Sequence, residues 1–354
     1  MNAPDGDRPP SARPGRLGVG IVGAGRVGAV LGSALRAAGH TVVGASGLSE
    51  ESRERIATLL PGVPHLEVQE VVERAEMVLV AVPDDALADV VSGLAALGAW
   101  QPGQLVVHTS GRYGVGVLDP ARRAGAIPVA LHPAMTFTGT SLDLHRLEGC
   151  TFAVTAPAAV QPIGQALVVE VGGEPVVVAE EARGLYHAAL AHGANHLVVL
   201  VAQAAQALEA AGVDRPGRAL APLLTAALDG ATRSADVRDG EGPGAITALT
   251  GPVSRGDVGT VRAHLDALRA LAAETGATDV PAAYTELARG ATSRALAAHR
   301  IDDRAARALL DTLNPPPPGR PVEPGPPVEP GPPVEPVEPV ETQDPPDDPH
   351  EEHP

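Results

Sequence analysis

The stretch Gly20-Ile21-Val22-Gly23-Ala24-Gly25-Arg26-Val27-Gly28 restricts the fold more than any other part of the chain. Apolar residues 17–22 read as a buried strand that runs straight into the spacing Gly23-x-Gly25-x-x-Gly28 and then into a helix ending near residue 38. Gly23 permits a tight turn, Gly25 lets the backbone approach a pyrophosphate without a Cβ in the way, and Gly28 lets helix pack closely on strand. Glycine is abundant here, at 40 of 354 residues, so the spacing alone is weak evidence. A strand before it, a helix after it and a second strand at 41–45 supply the context that makes it a dinucleotide-binding turn. Ala24, Arg26 and Val27 fill the places between the glycines, and phosphate charge is expected at the helix N-terminus.

Further apolar runs suited to strands occupy 77–82, 104–108, 127–131, 150–155 and 175–179, most of them separated by helical stretches. After residue 180 the pattern changes to alanine- and leucine-rich helices at about 182–211, 218–234, 260–274 and 281–298. The expected class is therefore α/β, a Rossmann-type parallel sheet followed by an all-helical C-terminal domain. The expected divisions are a disordered tail at 1–16, a dinucleotide-binding domain at 17–179, a helical substrate and dimerisation domain at 180–314, and a disordered tail at 315–354. That last segment holds 17 prolines and ten acidic residues against the single Arg320, a composition that cannot build a core. Segment 185–208 is apolar on nearly every side, which suggests a central helix that packs in a bundle or against a second copy of the chain; a homodimer through the helical domain is expected.

Composition removes several classes of function. The net charge is −17, which argues against nucleic acid as a partner, and six aromatic residues are too few for base-stacking platforms. All 26 basic residues are arginines, so lysine chemistry (Schiff bases, P-loop phosphate binding, an ammonium general acid) is excluded. One cysteine, Cys150, allows no intramolecular disulfide and suits a reducing compartment. No signal-like N-terminus and no uninterrupted apolar run near the roughly 20 residues of a membrane helix is evident, so a soluble, cytoplasmic protein without membrane contact is expected.

Ligands of open α/β sheets bind at the carboxyl ends of the strands, which directs attention to the residues found there. The second strand ends at Ser46 with no Asp or Glu for the ribose hydroxyls, while Ser46 and the arginines Arg26, Arg53 and Arg55 could meet a 2′-phosphate; NADP(H) is thus expected over NAD(H). Val82, Pro83 and Asp84 follow the third strand and are placed to line the cofactor, with helix starting as their plainer role. The fourth and fifth strands end in His108-Thr109-Ser110 and His132-Pro133, where His108 and Ser110 face the cofactor and His132 could orient a substrate or move a proton. In the helical half His187 and Asn195 could share one cleft, two turns apart. His192 and His196 form an i, i+4 pair without a third ligand nearby, so no metal is expected. The loop 249–257 adds Arg255, suited to a bidentate grip on a carboxylate, and Asp257, either catalytic or a helix cap.

Taken together and in this order, GIVGAGRVG, VAVPDD, VVHTSG, ALHPAMTF, YHAALAHGANH and LTGPVSRGD resemble, over residues 17–312, the proteins with a Rossmann-like N-terminal domain and a C-terminal helical domain catalogued as of unknown function. That family is similar to the 6-phosphogluconate dehydrogenase-like reductases, which include β-hydroxyacid dehydrogenases, pyrroline-5-carboxylate reductase and ketopantoate reductase. The resemblance implies an NADP-dependent oxidoreductase acting on a small carboxylate, ketopantoate reductase-like in the first instance. One departure stands out: those dehydrogenases and ketopantoate reductases use a lysine one turn before an asparagine, and here Ala191 precedes Asn195. His132 or His187 is the nearest replacement as proton donor. A non-catalytic NADP-binding sensor and an imine reductase of the pyrroline-5-carboxylate type are the alternatives.

Overall fold

The computed structural model describes residues 16–236 and 244–314, so the expected tail at 315–354 and all but the last residue of the one at 1–16 lie outside the described residues. The first unit interleaves strands and helices: β1 (Gly18–Val22), α1 (Arg26–Ala37), β2 (Thr41–Ser46), α2 (Glu50–Leu59), α3 (Val68–Arg74), β3 (Met77–Val80), α4 (Asp84–Ala96), β4 (Leu105–His108), α5 (Asp119–Arg123), β5 (Ile127–Pro133), α6 (Leu142–Arg146), β6 (Thr151–Thr155), α7 (Gln161–Glu170) and β7 (Glu174–Val177). All seven strands fall on the apolar runs. They form one sheet in the order β2-β1-β3-β4-β5-β6-β7.

Strands β1 to β5 are parallel, whereas β6 pairs antiparallel with β5 and parallel with β7. The sheet is therefore parallel for the most part, and the expectation of parallel strands throughout fails at its far edge. β6 pairs only with the last four residues of β5, from Pro133↔Phe152 to Ala130↔Thr155, and Ala130 is in turn the partner of His108. Running the other way, β6 thus ends level with the carboxyl edge of β4.

Period-two alternation divides the core into two layers. Val19, Ile21, Met77, Leu79, Val107, Val129 and Leu131 face α1, α2 and α7 on one side. Val78, Val80 and Val106 face α3 and α4 on the other, where Trp100, 4% exposed, donates its indole N–H to the Val91 carbonyl at 3.1 Å. Each fully buried Val, Leu or Ile contributes about 1.5–3 kcal/mol.

A 28-residue helix, α8 (Arg183–Ala210), follows the sheet. The compact units divide between Pro216 and Gly217, placing α8 with the sheet instead of with the helices that come after it. Only Arg183 and Gln203 are buried on α8, while Leu185 is 78% and Val198 69% exposed. By length and hydropathy α8 is the one helix among the described residues that could span a membrane.

The second unit takes in α9 (Pro216–Ala235) from Gly217 onward, followed by α10 (Val258–Thr275), α11 (Asp279–Ala297) and α12 (Asp303–Leu313), the last three packed around Val261, Leu265, Ala288, Ala295 and Leu309. Their limits are set by local chemistry. Asp257 and Asp302 cap α10 and α12 by accepting from Thr260 N and Ala305 N, and Gly276 ends α10 in the left-handed region at φ 79°.

Candidate active site

The glycine-rich turn fits a pyrophosphate on steric grounds. Gly23 has φ +89°, and a Cβ on Gly28 would lie 2.2 Å from the Gly23 carbonyl, so neither position tolerates a side chain. A Cβ on Gly25 would meet nothing within 4 Å. Gly25 is also the N-cap of α1 and offers no side-chain hydrogen bond, which leaves the first-turn N–H groups available to an anion. Ala24 is buried and its N–H donates to the Ser46 carbonyl at 2.7 Å, while Val27 packs on the core.

Ser46 requires a correction. Its hydroxyl accepts from Gly23 N at 3.3 Å and donates to the Ile21 carbonyl at 3.4 Å, and the residue is 5% exposed, so it braces the turn and has no proton to spare for a 2′-phosphate. The arginines divide as well. Arg53 donates to the Leu48 carbonyl at 3.1 Å. Arg26 and Arg55 converge on the loop beyond β5: a Cβ on Gly139 would be 2.8 Å from Arg55 Nε and 2.9 Å from Arg26 Cγ. That loop is held by the fully buried Asp143, which accepts from Thr138 N at 2.8 Å and Gly139 N at 2.7 Å.

Val82, Pro83 and Asp84 stand at the carboxyl end of β3, where Pro83 is the N-cap of α4 and Asp84 lies in its first turn. At the end of β4 a second correction arises. His108 is completely buried, its Nε2 is 2.8 Å from the Gly114 carbonyl, and its Nδ1 accepts from Ser110 N at 3.2 Å. Both nitrogens are consumed within the loop. Burial pushes its pKa down to about 4, against a smaller upward effect of the Gly114 bond, so His108 is a neutral brace and not a cofactor contact. Ser110, itself buried, accepts from the N–H groups of Arg112 and Tyr113 and so shapes the same loop.

His132, Met135, His187, Ala191 and Asn195 line one pocket of about 380 Å³ between the end of β5 and α8. Three of the expected catalytic residues, His132, His187 and Asn195, therefore come together, with Ala191 in the lysine position also on the wall. The His132 and His187 rings stand edge to face with centroids 6.2 Å apart, and a Cβ on Gly111 would fall 2.9 Å from each. His132 Nδ1 is 2.9 Å from the Tyr186 hydroxyl. Burial, followed by the charges of Arg183 and His187, pushes His132 down to about 4.

Two neighbours escaped the sequence analysis, Tyr186 and Arg183. Because β6 ends level with β4, α8 starts beside the ligand-bearing edge of the sheet, and Arg183 in its first turn reaches inward. It is 1% exposed and donates from Nε to Thr155 Oγ1 at 2.8 Å, from one terminal nitrogen to the Ser110 carbonyl at 3.2 Å, and from the other to the Ala130 and Ala153 carbonyls at 3.1 Å. Tyr186 sat unremarked within the YHAALAHGANH motif; an arginine at a helix start reads as solvated, so Arg183 left no signal.

In the second unit Asp257 is a cap, accepting from Thr260 N at 3.0 Å and Thr260 Oγ1 at 2.7 Å; both acceptor oxygens serve α10, which corrects its catalytic assignment. Arg255 lies exposed in the one-turn helix Val253–Arg255. His192 and His196 touch through their Nδ1 atoms at 2.9 Å on the exposed face of α8.

Residues 1–133 match a Rossmann-like domain, and residues 150–291 match a domain of unknown function, DUF2520. Among curated proteins no sequence matches. Among solved structures, a Bacteroides fragilis protein assigned as an NADP oxidoreductase is similar at TM-score 0.60 and 22% identity, over 78% of this chain and 98% of that one. An imine reductase from Pseudomonas sp. is similar at TM-score 0.56 and 18% identity, covering 84% and 100%. A third, from Myxococcus stipitatus and solved with NADP+, gives TM-score 0.53 and 19% identity over 84% and 99%. Identities this low speak for the fold. With the domain matches they agree with the sheet and helices described above: the chain joins a Rossmann-like domain to a DUF2520 domain.

Proposed function

We propose that the protein is an NADP-dependent reductase that delivers hydride to the carbonyl carbon of a small carboxylate-bearing substrate. One observation carries the proposal: a pocket lined by His132, His187 and Asn195 opens at the same strand edge as the glycine-rich turn. When bound, the reduced nicotinamide supplies the hydride. Residues of the chain do the rest. The first turn of α1 holds the pyrophosphate, and Arg26 and Arg55 suit a 2′-phosphate. Asn195 orients the carbonyl, and the histidines lie nearest the oxygen that must gain a proton. Arg255, an exposed guanidinium, is the candidate ligand for the substrate carboxylate.

Reduction of a C=N bond is the second reading, favoured by the missing lysine and by the likeness in fold to imine reductases. The exposed apolar face of α8 supports a homodimer that covers it. NADPH oxidation against ketopantoate, other 2-oxo acids and pyrroline-5-carboxylate, with NADH as control, tests the proposal. Turnover with a keto acid supports it, turnover with the cyclic imine alone selects the second reading, and tight NADPH binding without turnover of any acceptor identifies a sensor. For an active enzyme, Arg255→Ala should raise KM for the carboxylate substrate by about tenfold or more, the worth of one charge-assisted contact.

A further inference from the structure

Arg183 presents an unusual situation, a guanidinium 1% exposed whose hydrogen-bond acceptors among the described residues are three carbonyls and one hydroxyl. Buried charges ordinarily have a counter-ion, because taking an ion out of water costs several kcal/mol. After the Tyr186 phenol the acidic group that acts on it is Glu180, whose carboxylate is committed to the N–H groups of Val115 at 2.7 Å and Gly116 at 2.9 Å. The centre of the guanidinium is 6.0 Å from the Tyr186 ring, and the Tyr186 hydroxyl is 2.9 Å from His132 Nδ1, while His132 itself lines the pocket. Cation, phenol, imidazole and pocket therefore form a continuous line.

Resting on the reductase reading, we propose that His132 is a proton relay fed by Tyr186: Nε2–H gives its proton to the substrate heteroatom while Nδ1 takes the proton of Tyr186, and the buried Arg183 stabilises the phenolate left behind. The balance is complete. As hydride from the reduced nicotinamide reaches carbon, one proton leaves Tyr186 and one arrives on the substrate; the imidazole is neutral before and after and changes only its tautomer. Nδ1–H then returns its proton to the phenolate as Nε2 takes one from water, which restores the starting tautomer.

Direct protonation by an imidazolium is a poor alternative, because a histidine with pKa about 4 is charged in only about one molecule in a thousand at pH 7. Burial raises the Tyr186 pKa and Arg183 opposes that rise, so the cation acts in the direction the relay needs. The other titratable groups facing the pair are few. Cys150 acts on Tyr186, while His187 from α8, Asp84 from α4 and the buried, neutral His108 at the end of β4 interact with His132. None of them can replace Arg183 as a fixed positive charge.

The chain has three tyrosines, so Tyr113→Phe and Tyr284→Phe leave Tyr186 as the sole source of a tyrosinate absorbance. In that background Arg183→Gln is expected to move the tyrosinate midpoint to higher pH by a unit or so, as loss of a nearby buried charge should, and Arg183→Lys to restore it toward the parent value. An unmoved midpoint in a Gln variant whose circular dichroism is native overturns the role of Arg183, and if the Gln variant does not fold, the Lys variant and Tyr186→Phe decide. Tyr186→Phe should lower kcat by about a hundredfold at pH 7 with NADPH affinity unchanged, and its rate should climb as the pH falls toward 4 and imidazolium replaces the relay. Wild-type kcat with a flat pH profile in that variant overturns the relay. A wild type that reduces no acceptor counts against the reductase reading, whereas the tyrosinate titration judges the charge pairing without turnover, so the two proposals fail separately.

Discussion

At the scale of single residues, the site is defined as much by atoms that are absent as by functional groups. Gly28→Ala would place a methyl 2.2 Å from the Gly23 carbonyl, and the turn must open to accommodate it. NADPH affinity, read from quenching of its fluorescence, should fall by at least tenfold. Arg55→Ala tests the other end of the cofactor: affinity for NADPH should drop about tenfold while that for NADH stays constant, since only the former carries a 2′-phosphate for a charge-assisted bond. Equal losses for both would remove Arg55 from that role. Asp257→Ala, by contrast, should lower the urea midpoint of the second unit without a change in cofactor affinity, as loss of a helix cap does.

At the scale of elements, location was legible in the sequence and direction was not. An apolar run reports burial on both faces, which β6 has in common with its parallel neighbours, so nothing in Thr151–Thr155 reveals that it runs backwards. β7 was expected on the same grounds, yet as the outer strand it leaves Val176 and Val177 about half exposed. The run Asp303–Leu313 was not among the expected helices, although Asp302 caps it and Ala306, Leu309 and Leu313 form its buried face. That His132, His187 and Asn195 would share one pocket was legible because the strand-end rule and helical spacing apply to them. Arg183 and Tyr186 were not, because their roles depend on where the reversal of β6 lets α8 begin. The apolar surface of α8 offers its own test. Leu185, 78% exposed, shares α8 with the exposed Val198 and Val199, and if a second copy covers this face Leu185→Glu should shift a dimer to monomer in sedimentation velocity; a wild type that sediments as a monomer at all concentrations rejects the covering copy.

Over the whole molecule, the two histidines held near pKa 4 set a pH limit on stability. An unfolded histidine titrates near 6.5, so at neutral pH both states are uncharged and nothing is lost. As the pH falls from about 6.5 to 4 the unfolded chain takes up protons that the folded one refuses, and stability declines before levelling off below 4. The loss is about 3 kcal/mol for His108 and smaller for His132, which opens onto the pocket; urea melts at pH 7.5 and 4.5 measure it, and equal midpoints would contradict the burial of both rings. A different use of the architecture follows from Trp100, the only tryptophan in the chain, set between β-sheet and α4 in the first unit. Its emission reports that unit alone, whereas far-ultraviolet ellipticity is weighted toward helices in both. The molecule thus carries a spectroscopic label on one of its two halves, and denaturation followed at both signals tells, without any added dye, whether the halves melt as one or in succession.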